Sequence, residues 1–418
     1  MKILIIGSGG REHAICWKIA SEVSSATFYA LPGNGGIGEI ANIVDIPLDD
    51  LQGILSFAKQ EKIDFTIVGP EAPLAGGIVD MFTKKKLRIF GPEQKGAILE
   101  YSKVWAKEFM MENSIPTGSF SVADNFEHAK RIIEKTSFPA VIKFDGLAAG
   151  KGVVIASDMA QALRFLEDVF EKNIFSSADK KVVIEEFLEG NELSYLIITD
   201  GESYVPLAPA KDYKKIYDGD KGPNTGGMGS YSPVSMCTHE LEKIIEKKIV
   251  NPTIKGLQRR NIDYRGVLYF GLMITQQGPK VLEYNVRFGD PETQVILPRM
   301  TSGLLEILQA SVEGKLKNNM VRWKDDAAVD VVIASSGYPG KYETGMPITG
   351  IEKAFGDVLI FHAGTKKKND TFLTAGGRVL NVVGIGKDIS QARMKAYEKI
   401  EKIYFKGMHF RKDIALLV

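Results

Sequence analysis

The chain has 418 residues, with 44% hydrophobic and 25% charged residues and a formal net charge of +1. That length exceeds one ordinary core and predicts roughly two to four domains, while the balanced charge gives no electrostatic ground for a nucleic-acid or membrane partner. No stretch reaches the ~20 consecutive apolar residues of a membrane span, and Cys16 and Cys237 lack metal or redox-pair spacing.

The first seven residues, Met-Lys-Ile-Leu-Ile-Ile-Gly, are too short an apolar run for a signal peptide, so a cytoplasmic enzyme is expected. Lys2 to Ile6 reads as a buried strand. Gly7-Ser8-Gly9-Gly10-Arg11-Glu12-His13 follows, then a helical pattern through Ala14, Ile15, Ile19 and Ala20. Further strands at 27–30, 65–68 and 88–90 alternate with helices at 51–60 and 77–85. That alternation predicts an open parallel sheet with helices on both faces.

Ligands of such sheets sit beyond the carboxyl ends of the strands. Three loops fall there: the first glycine turn, Pro32-Gly33-Asn34-Gly35-Gly36 and Gly69-Pro70-Glu71-Ala72-Pro73-Leu74. A dinucleotide fingerprint would need a third glycine where Glu12 stands, and an acidic residue about 20 positions on, where the chain has Leu31-Pro32-Gly33. Backbone-lined loops at a helix N-terminus still favour an anion. A small phosphorylated metabolite therefore fits better than a dinucleotide, with simple tight turns as the alternative.

In the middle of the chain a short apolar strand ends at Lys143, and Asp145-Gly146-Leu147-Ala148-Ala149-Gly150-Lys151-Gly152 leads into a second strand at 153–156. A Walker A loop would place four residues between its glycines, Ser or Thr after the lysine and a helix beyond. Here three intervene, Gly152 follows Lys151 and a strand continues, so the segment reads as a hairpin lid over phosphates. The strand at 181–188 ends in Glu185-Glu186-Phe187-Leu188. An exposed edge there suits an adenine held by backbone groups, with Glu192 on the ribose or simply solvated. The glycine-dense stretch 209–233, containing Asp212 and Gly226-Gly227-Met228, is expected to be an irregular substrate-binding loop, since loops this long are uncommon unless functional.

The most informative segment is Val281-Leu-Glu283-Tyr-Asn285-Val-Arg287-Phe-Gly289-Asp290-Pro291-Glu292-Thr-Gln294. On an extended strand Glu283, Asn285 and Arg287 point one way and Leu282, Tyr284 and Val286 the other. A carboxylate and an amide at this spacing can share a hard divalent ion, and Arg287 can clamp a carboxylate or phosphate with two parallel hydrogen bonds. A solvated strand face followed by an ordinary turn is the other reading.

Taken in order, these motifs resemble the phosphoribosylamine-glycine ligase (glycinamide ribonucleotide synthetase) family of the ATP-grasp superfamily. Gly7-Ser-Gly-Gly-Arg-Glu-His13, Pro32-Gly-Asn-Gly-Gly36, Gly69-Pro-Glu-Ala-Pro-Leu74, Lys143-Phe-Asp-Gly-Leu-Ala-Ala-Gly-Lys-Gly152, Gly222-Pro-Asn-Thr-Gly-Gly-Met-Gly229, Arg287-Phe-Gly-Asp-Pro-Glu-Thr-Gln294 and Gly376-Gly-Arg-Val-Leu380 carry the likeness over nearly the full length.

The resemblance implies an α/β multidomain fold: an N-terminal open parallel-sheet (Rossmann-like) domain at 1–100, an ATP-grasp domain at 101–325 with a lid at about 120–190, and a small α+β domain at 326–418. It implies ATP-dependent joining of glycine to 5-phosphoribosylamine through glycyl phosphate, in purine synthesis, with Mg²⁺ or Mn²⁺. Glu283 and Asn285 would hold the metal. Lys103, Lys143, Lys151, Glu185, Glu186, Phe187, Leu188 and Glu192 would bind ATP.

By the same resemblance Arg287 and Asp212 act catalytically, with Gly226, Gly227 and Met228 near the amine. The substrate phosphate would sit on Gly9, Gly10, Arg11, Gly33, Asn34, Gly35 and Gly36, and Glu71 and Asp290 complete the substrate set. The implied partners are small molecules, with room for transient contact with other purine-pathway enzymes. The chain departs from the family at Tyr213 and Lys215, where histidine and arginine are usual, and at Gly303, where an aspartate is expected.

Overall fold

In a computed structural model, residues 1–147, 152–172, 174–175, 180–351 and 356–416 are described. Ile3, Leu4, Ile5 and Ile6 have no exposed surface, as a strand covered by helices on both faces requires. Their strand, Lys2–Gly7, is the centre of a five-stranded sheet in which every pair is parallel. Thr27–Pro32 lies on one side and Phe65–Val68 on the other, so the strand order reverses at Lys2–Gly7. The helices Gly10–Glu22 and Glu71–Ala75 start at that switch point, where ligands of open parallel sheets bind.

Two antiparallel sheets follow. In the first, Val182–Glu186 lies between Phe120–Ala123 and Ala140–Phe144, and the last pairs in turn with Val153–Ala156. Helices Phe126–Ile133 and Met159–Phe170 cover its apolar face. In the second, Gly266–Thr275 pairs with Asn191–Thr199 and with Gly278–Asn285. The Gly266–Thr275 and Gly278–Asn285 pairing carries a bulge: Leu272 faces Val281 and Gly271 faces Glu283, leaving Leu282 as the extra residue. Val281 and Tyr284 both enter the core, while Glu283 stays partly open. Strict alternation would have put Val281 on the polar face; the bulge removes it.

The stretch 209–233 is not the irregular loop expected from its composition. It carries the short strands Lys211–Asp212, Lys215–Tyr217, Lys221–Asn224 and Gly229–Ser232. Gly219 (φ 68°) and Asp220 (φ 52°) supply the left-handed turn between the second and third. The first and fourth join Ala327–Ala334, Arg378–Gly386 and Val358–His362 in one sheet.

Gly303 has a structural counterpart to its departure. It precedes the helix Leu304–Glu313 and offers no capping side chain, but the Glu22 carboxylate arrives from Gly10–Glu22 and accepts the N–H groups of Leu304 (3.0 Å) and Leu305 (3.3 Å). A distant carboxylate does the work usually done by the N-cap residue. Among the described residues no helix is long and apolar enough to cross a membrane.

Candidate active site

The carboxyl ends of the parallel sheet, the two four-stranded antiparallel sheets and the five-stranded antiparallel sheet that includes Ala327–Ala334 meet at a cleft of about 550 Å³. Its wall includes Arg11, Glu71, Glu100, Lys103, Lys107, Lys143, Glu185, Asp212, Lys214, Gly226, Glu283, Asn285, Arg287, Asp290, Tyr338 and Arg378. The polar face expected of the 281–287 strand is therefore present, with Glu283, Asn285 and Arg287 in one cavity.

Glu283 is the least committed of these groups: its carboxylate makes no side-chain hydrogen bond or ion pair among the described residues. Burial works against its ionisation, yet the charges of Lys214, Lys143, Lys103 and Arg287 hold its carboxyl below the ordinary range. It is an ionised oxygen donor facing open space. Asn285 accepts a hydrogen bond from Arg287 Nη2 at 3.0 Å, which leaves its amide oxygen one further lone pair. Arg287 also pairs with Glu100 at 2.9 Å and with Glu71 at 3.4 Å. Much of its fork is thus spent on the protein itself, which fixes the guanidinium in place.

A second cluster lies behind this face. Glu185 is shared by two buried lysines, with Lys107 Nζ at 2.7 Å and Lys143 Nζ at 2.9 Å. Lys143 also donates to the Leu282 carbonyl at 2.9 Å, the residue at the bulge, and so ties the two antiparallel sheets together. Lys107 is 2% exposed, and its burial, with Lys143 beside it, lowers its pKa to about 8. Lys103 donates to the Gly146 carbonyl at 2.7 Å, just past the end of the strand Ala140–Phe144. Lys151 lies outside the described residues.

Glu186 accepts the Ser119 N–H at 2.9 Å and pairs with Lys280 at 3.4 Å, so its side chain turns away from the cleft. Phe187 and Leu188 follow the end of the strand Val182–Glu186, with Phe187 38% exposed. Glu192 pairs with Lys214 at 3.2 Å. Asp212 stands next to that pair with no side-chain hydrogen bond or ion pair of its own among the described residues. Burial pushes its carboxyl up to about 8, helped by Glu292, Glu192 and Glu283 and opposed by Lys214.

The structure does not bring all the glycine loops to the cleft. Glu12 fills the mouth of the helix Gly10–Glu22 by accepting the Gly9 N–H at 2.6 Å, the place a dinucleotide phosphate would take. The loop 33–36 is covered by the C-terminal part of the chain: Gly35 N–H donates to the Thr365 carbonyl at 3.0 Å, and the Asn34 amide donates to the carbonyls of Ser8 and His362, each at 2.8 Å. Gly9, Gly10, Gly33, Asn34, Gly35 and Gly36 are absent from the cleft wall, and Arg11 alone of that set reaches it. Arg11 pairs with Glu12 and donates to the Phe288 carbonyl at 3.1 Å.

Asp290 pairs with Arg378 at 3.2 Å. Burial opposes its ionisation, and Arg378, Arg11, the Gln294 amide and Arg287 overcome that and hold its carboxyl low. Gly226 lines the cleft, whereas Gly227 and Met228 pack behind it. Lys107, Glu100, Tyr338 and Arg378 were not among the expected site residues. Lys107 had a local signal, standing four residues after Lys103 on the helix Lys103–Glu112. Tyr338 had none. The Tyr213 departure also resolves: its hydroxyl accepts the Ala415 N–H at 3.0 Å and the Arg411 guanidinium lies 4.9 Å over its ring, so it anchors the C-terminal segment.

A parallel sheet domain, a hairpin sheet and a carboxylate-bearing antiparallel sheet around a lysine-lined cleft define an ATP-dependent ligase of the ATP-grasp class. Family models described as phosphoribosylglycinamide synthetase match as an N domain over residues 1–100, an ATP-grasp (A) domain over 101–293 and a C domain over 328–417. The chain is 47% identical over 415 residues to the phosphoribosylamine–glycine ligase of Caldanaerobacter subterraneus subsp. tengcongensis, covering 99% of each. The crystal structure of phosphoribosylamine–glycine ligase from Thermotoga maritima superposes with a TM-score of 0.86 at 37% identity, over 99% of this chain and 100% of that one. A biotin carboxylase domain from Hydrogenobacter thermophilus, solved with magnesium ADP, ADP and bicarbonate, shares the fold alone: TM-score 0.75, 16% identity, 98% of this chain and 91% of that one. The chain belongs to the phosphoribosylglycinamide synthetase family.

Proposed function

We propose that the chain joins glycine to 5-phosphoribosylamine at the expense of ATP, passing through glycyl phosphate. The observation that carries this reading is the meeting of Glu283, Asn285, Arg287 and Asp212 in one cleft with Lys103 and Lys143. In the first stage a glycine carboxylate oxygen takes the γ-phosphoryl group of ATP and ADP leaves. In the second the amine nitrogen attacks the acyl carbon, phosphate departs with the C–O bonding pair, and one proton is released from nitrogen. Phosphoryl transfer of this kind depends on positioning and charge neutralisation more than on a protein nucleophile.

Each residue has a part suited to its surroundings. Lys103 and Lys143 meet the nucleotide phosphates or ring, while the backbone of 185–188 meets adenine and Glu192 the ribose. Arg287, fixed by Glu100 and Glu71, presents a rigid cation to the glycine carboxylate. Asp212, half-buried and with no side-chain partner among the described residues, receives the proton lost by the attacking amine. Arg11 meets the substrate phosphate, with Asp290 and Glu71 setting the charge around it.

A magnesium ion fits the carboxylate of Glu283, which has no ion pair among the described residues, and the remaining lone pair of Asn285, with manganese as a chemically similar substitute. Among the described residues no group of three or more His, Cys, Asp or Glu side chains is placed to hold a metal, so phosphate oxygens and water would fill the other positions. When bound, the ion neutralises charge on the phosphates. We read the domain limits as 1–100, 101–325 with a lid at about 120–190, and 326–418, and the location as cytoplasmic.

ADP release with ATP, glycine and freshly made phosphoribosylamine, each omitted in turn, tests the reading. Release should require all three. ADP formed at the same rate without glycine or without phosphoribosylamine rejects it.

A further inference from the structure

Gly226 is held at both of its backbone groups by side chains from the C-terminal part of the chain. Its N–H donates to the Tyr338 hydroxyl at 3.0 Å, and its carbonyl accepts from Arg378 Nη1 at 2.7 Å. The same nitrogen donates to the Asp290 carbonyl at 2.9 Å, while Nη2 lies 3.2 Å from the Asp290 carboxylate. One guanidinium therefore rivets the Gly226 loop to the turn after the Glu283 strand.

The packing leaves little freedom at this junction. A Cβ at Gly226 would lie 3.0 Å from Arg378 Cζ, and one at Gly227, whose φ is +114°, would lie 2.4 Å from Pro291 Cδ. Tyr338 is itself carefully delivered. Ser335 anchors the preceding turn through its N–H to the Gly377 carbonyl and its hydroxyl to the Gly376 carbonyl, each at 2.8 Å. The tyrosine ring then occupies the space a Cβ on Gly377 would need, with a ring carbon 2.3 Å from that position, and packs against the buried cluster of Ile216, Met228 and Ala334.

We infer that Tyr338 and Arg378 are positioning residues for the acceptor substrate, a phosphorylated sugar amine, acting through the Gly226 peptide. The inference rests on the reading that the acceptor amine binds beside Asp212. Gly226 and Asp212 line the same cleft, and Asp212 and Gly229 lie on adjacent paired strands, so a shift of the loop moves the wall next to Asp212. The clamp hydrogen-bonds to none of Lys103, Lys143 or Glu283, the groups assigned to ATP and its metal.

The test is Tyr338→Phe, which keeps the ring and removes the hydroxyl, with Arg378→Lys as the second variant. Each should raise KM for phosphoribosylamine about tenfold, the scale of one lost hydrogen bond, while KM for ATP and kcat stay within about twofold. An unchanged KM for phosphoribosylamine in both variants overturns the inference, as does an equal loss against all three substrates. Wild-type protein that forms no product from the three substrates rejects the ligase reading itself; an active wild type with both variants indistinguishable from it rejects the clamp alone.

Discussion

The Glu12 carboxylate sits where a side chain on Gly69 would have to be: a Cβ there would come 1.9 Å from Glu12 Oε1. The other oxygen, Oε2, accepts the Gly9 N–H, so an internal anion satisfies the start of the helix Gly10–Glu22. The parallel sheet keeps the shape of a dinucleotide fold while its phosphate position is taken by the chain's own carboxylate.

Gly69→Ala should therefore displace Glu12, break its pairing with Arg11 and lower stability by about 3 to 5 kcal/mol, the range for disrupting a buried charge pair. Urea unfolding measures this. A midpoint equal to wild type would show that Glu12 can move aside without cost. Wild-type protein should also show no thermal shift with NAD, since the carboxylate repels a pyrophosphate.

Glu283→Gln preserves shape and removes one charge. Because the carboxylate makes no hydrogen bond among the described residues, the fold should persist with a melting temperature within a few degrees of wild type. Turnover should fall about 100-fold or more, the scale of losing one preorganised electrostatic contact in phosphoryl transfer. Near-normal kcat at saturating magnesium would remove Glu283 from the metal role.

Asp212 gives a pH dependence with a definite sign. Its carboxyl is raised to about 8, chiefly by burial, so the base form grows as pH rises through that value. The ligation rate should climb between about pH 7 and 9 and then level. Asp212→Asn should lose most of the activity and flatten that limb. A wild-type profile already flat from pH 6 upward would exclude Asp212 as the proton acceptor.

Glu22 and Gly303 form a pair that can be exchanged. Glu22→Ala should cost about 1 kcal/mol by uncapping the helix Leu304–Glu313. Gly303→Asp alone should gain little, because the new carboxylate meets Glu22, but in the Glu22→Ala background it should restore most of the loss. The double-mutant cycle reads the coupling. Strictly additive effects would mean that Glu22 does not serve as the cap.

How much of this was legible in the sequence depended on the range over which each feature is determined. The face of Glu283, Asn285 and Arg287 followed from two-residue periodicity, and the parallel sheet from the alternation of apolar strands with helices. The placement of Val281 did not, because the bulge at Leu282 arises from pairing with a strand closed elsewhere. The glycine loop at 33–36 announced a turn, but its donors are consumed by residues more than 300 positions later, such as Thr365 and His362. Tyr338 and Arg378 reach the cleft only through the long-range sheet that carries them. Lys107 is distinguished from an ordinary surface lysine by Glu185, a partner nearly 80 residues away.

The strand Gly229–Ser232 is wholly buried and runs between Lys211–Asp212 and Ala327–Ala334. A chain cut after residue 325 would leave it as a naked sheet edge, inviting strand addition from a second copy and aggregation. The last quarter of the sequence is thus no detachable module. Grafting it from a relative would replace one side of the strand that leads out of the Gly226 loop, and recombination between homologues should succeed only when the segments around 211–232 and 327–386 travel together.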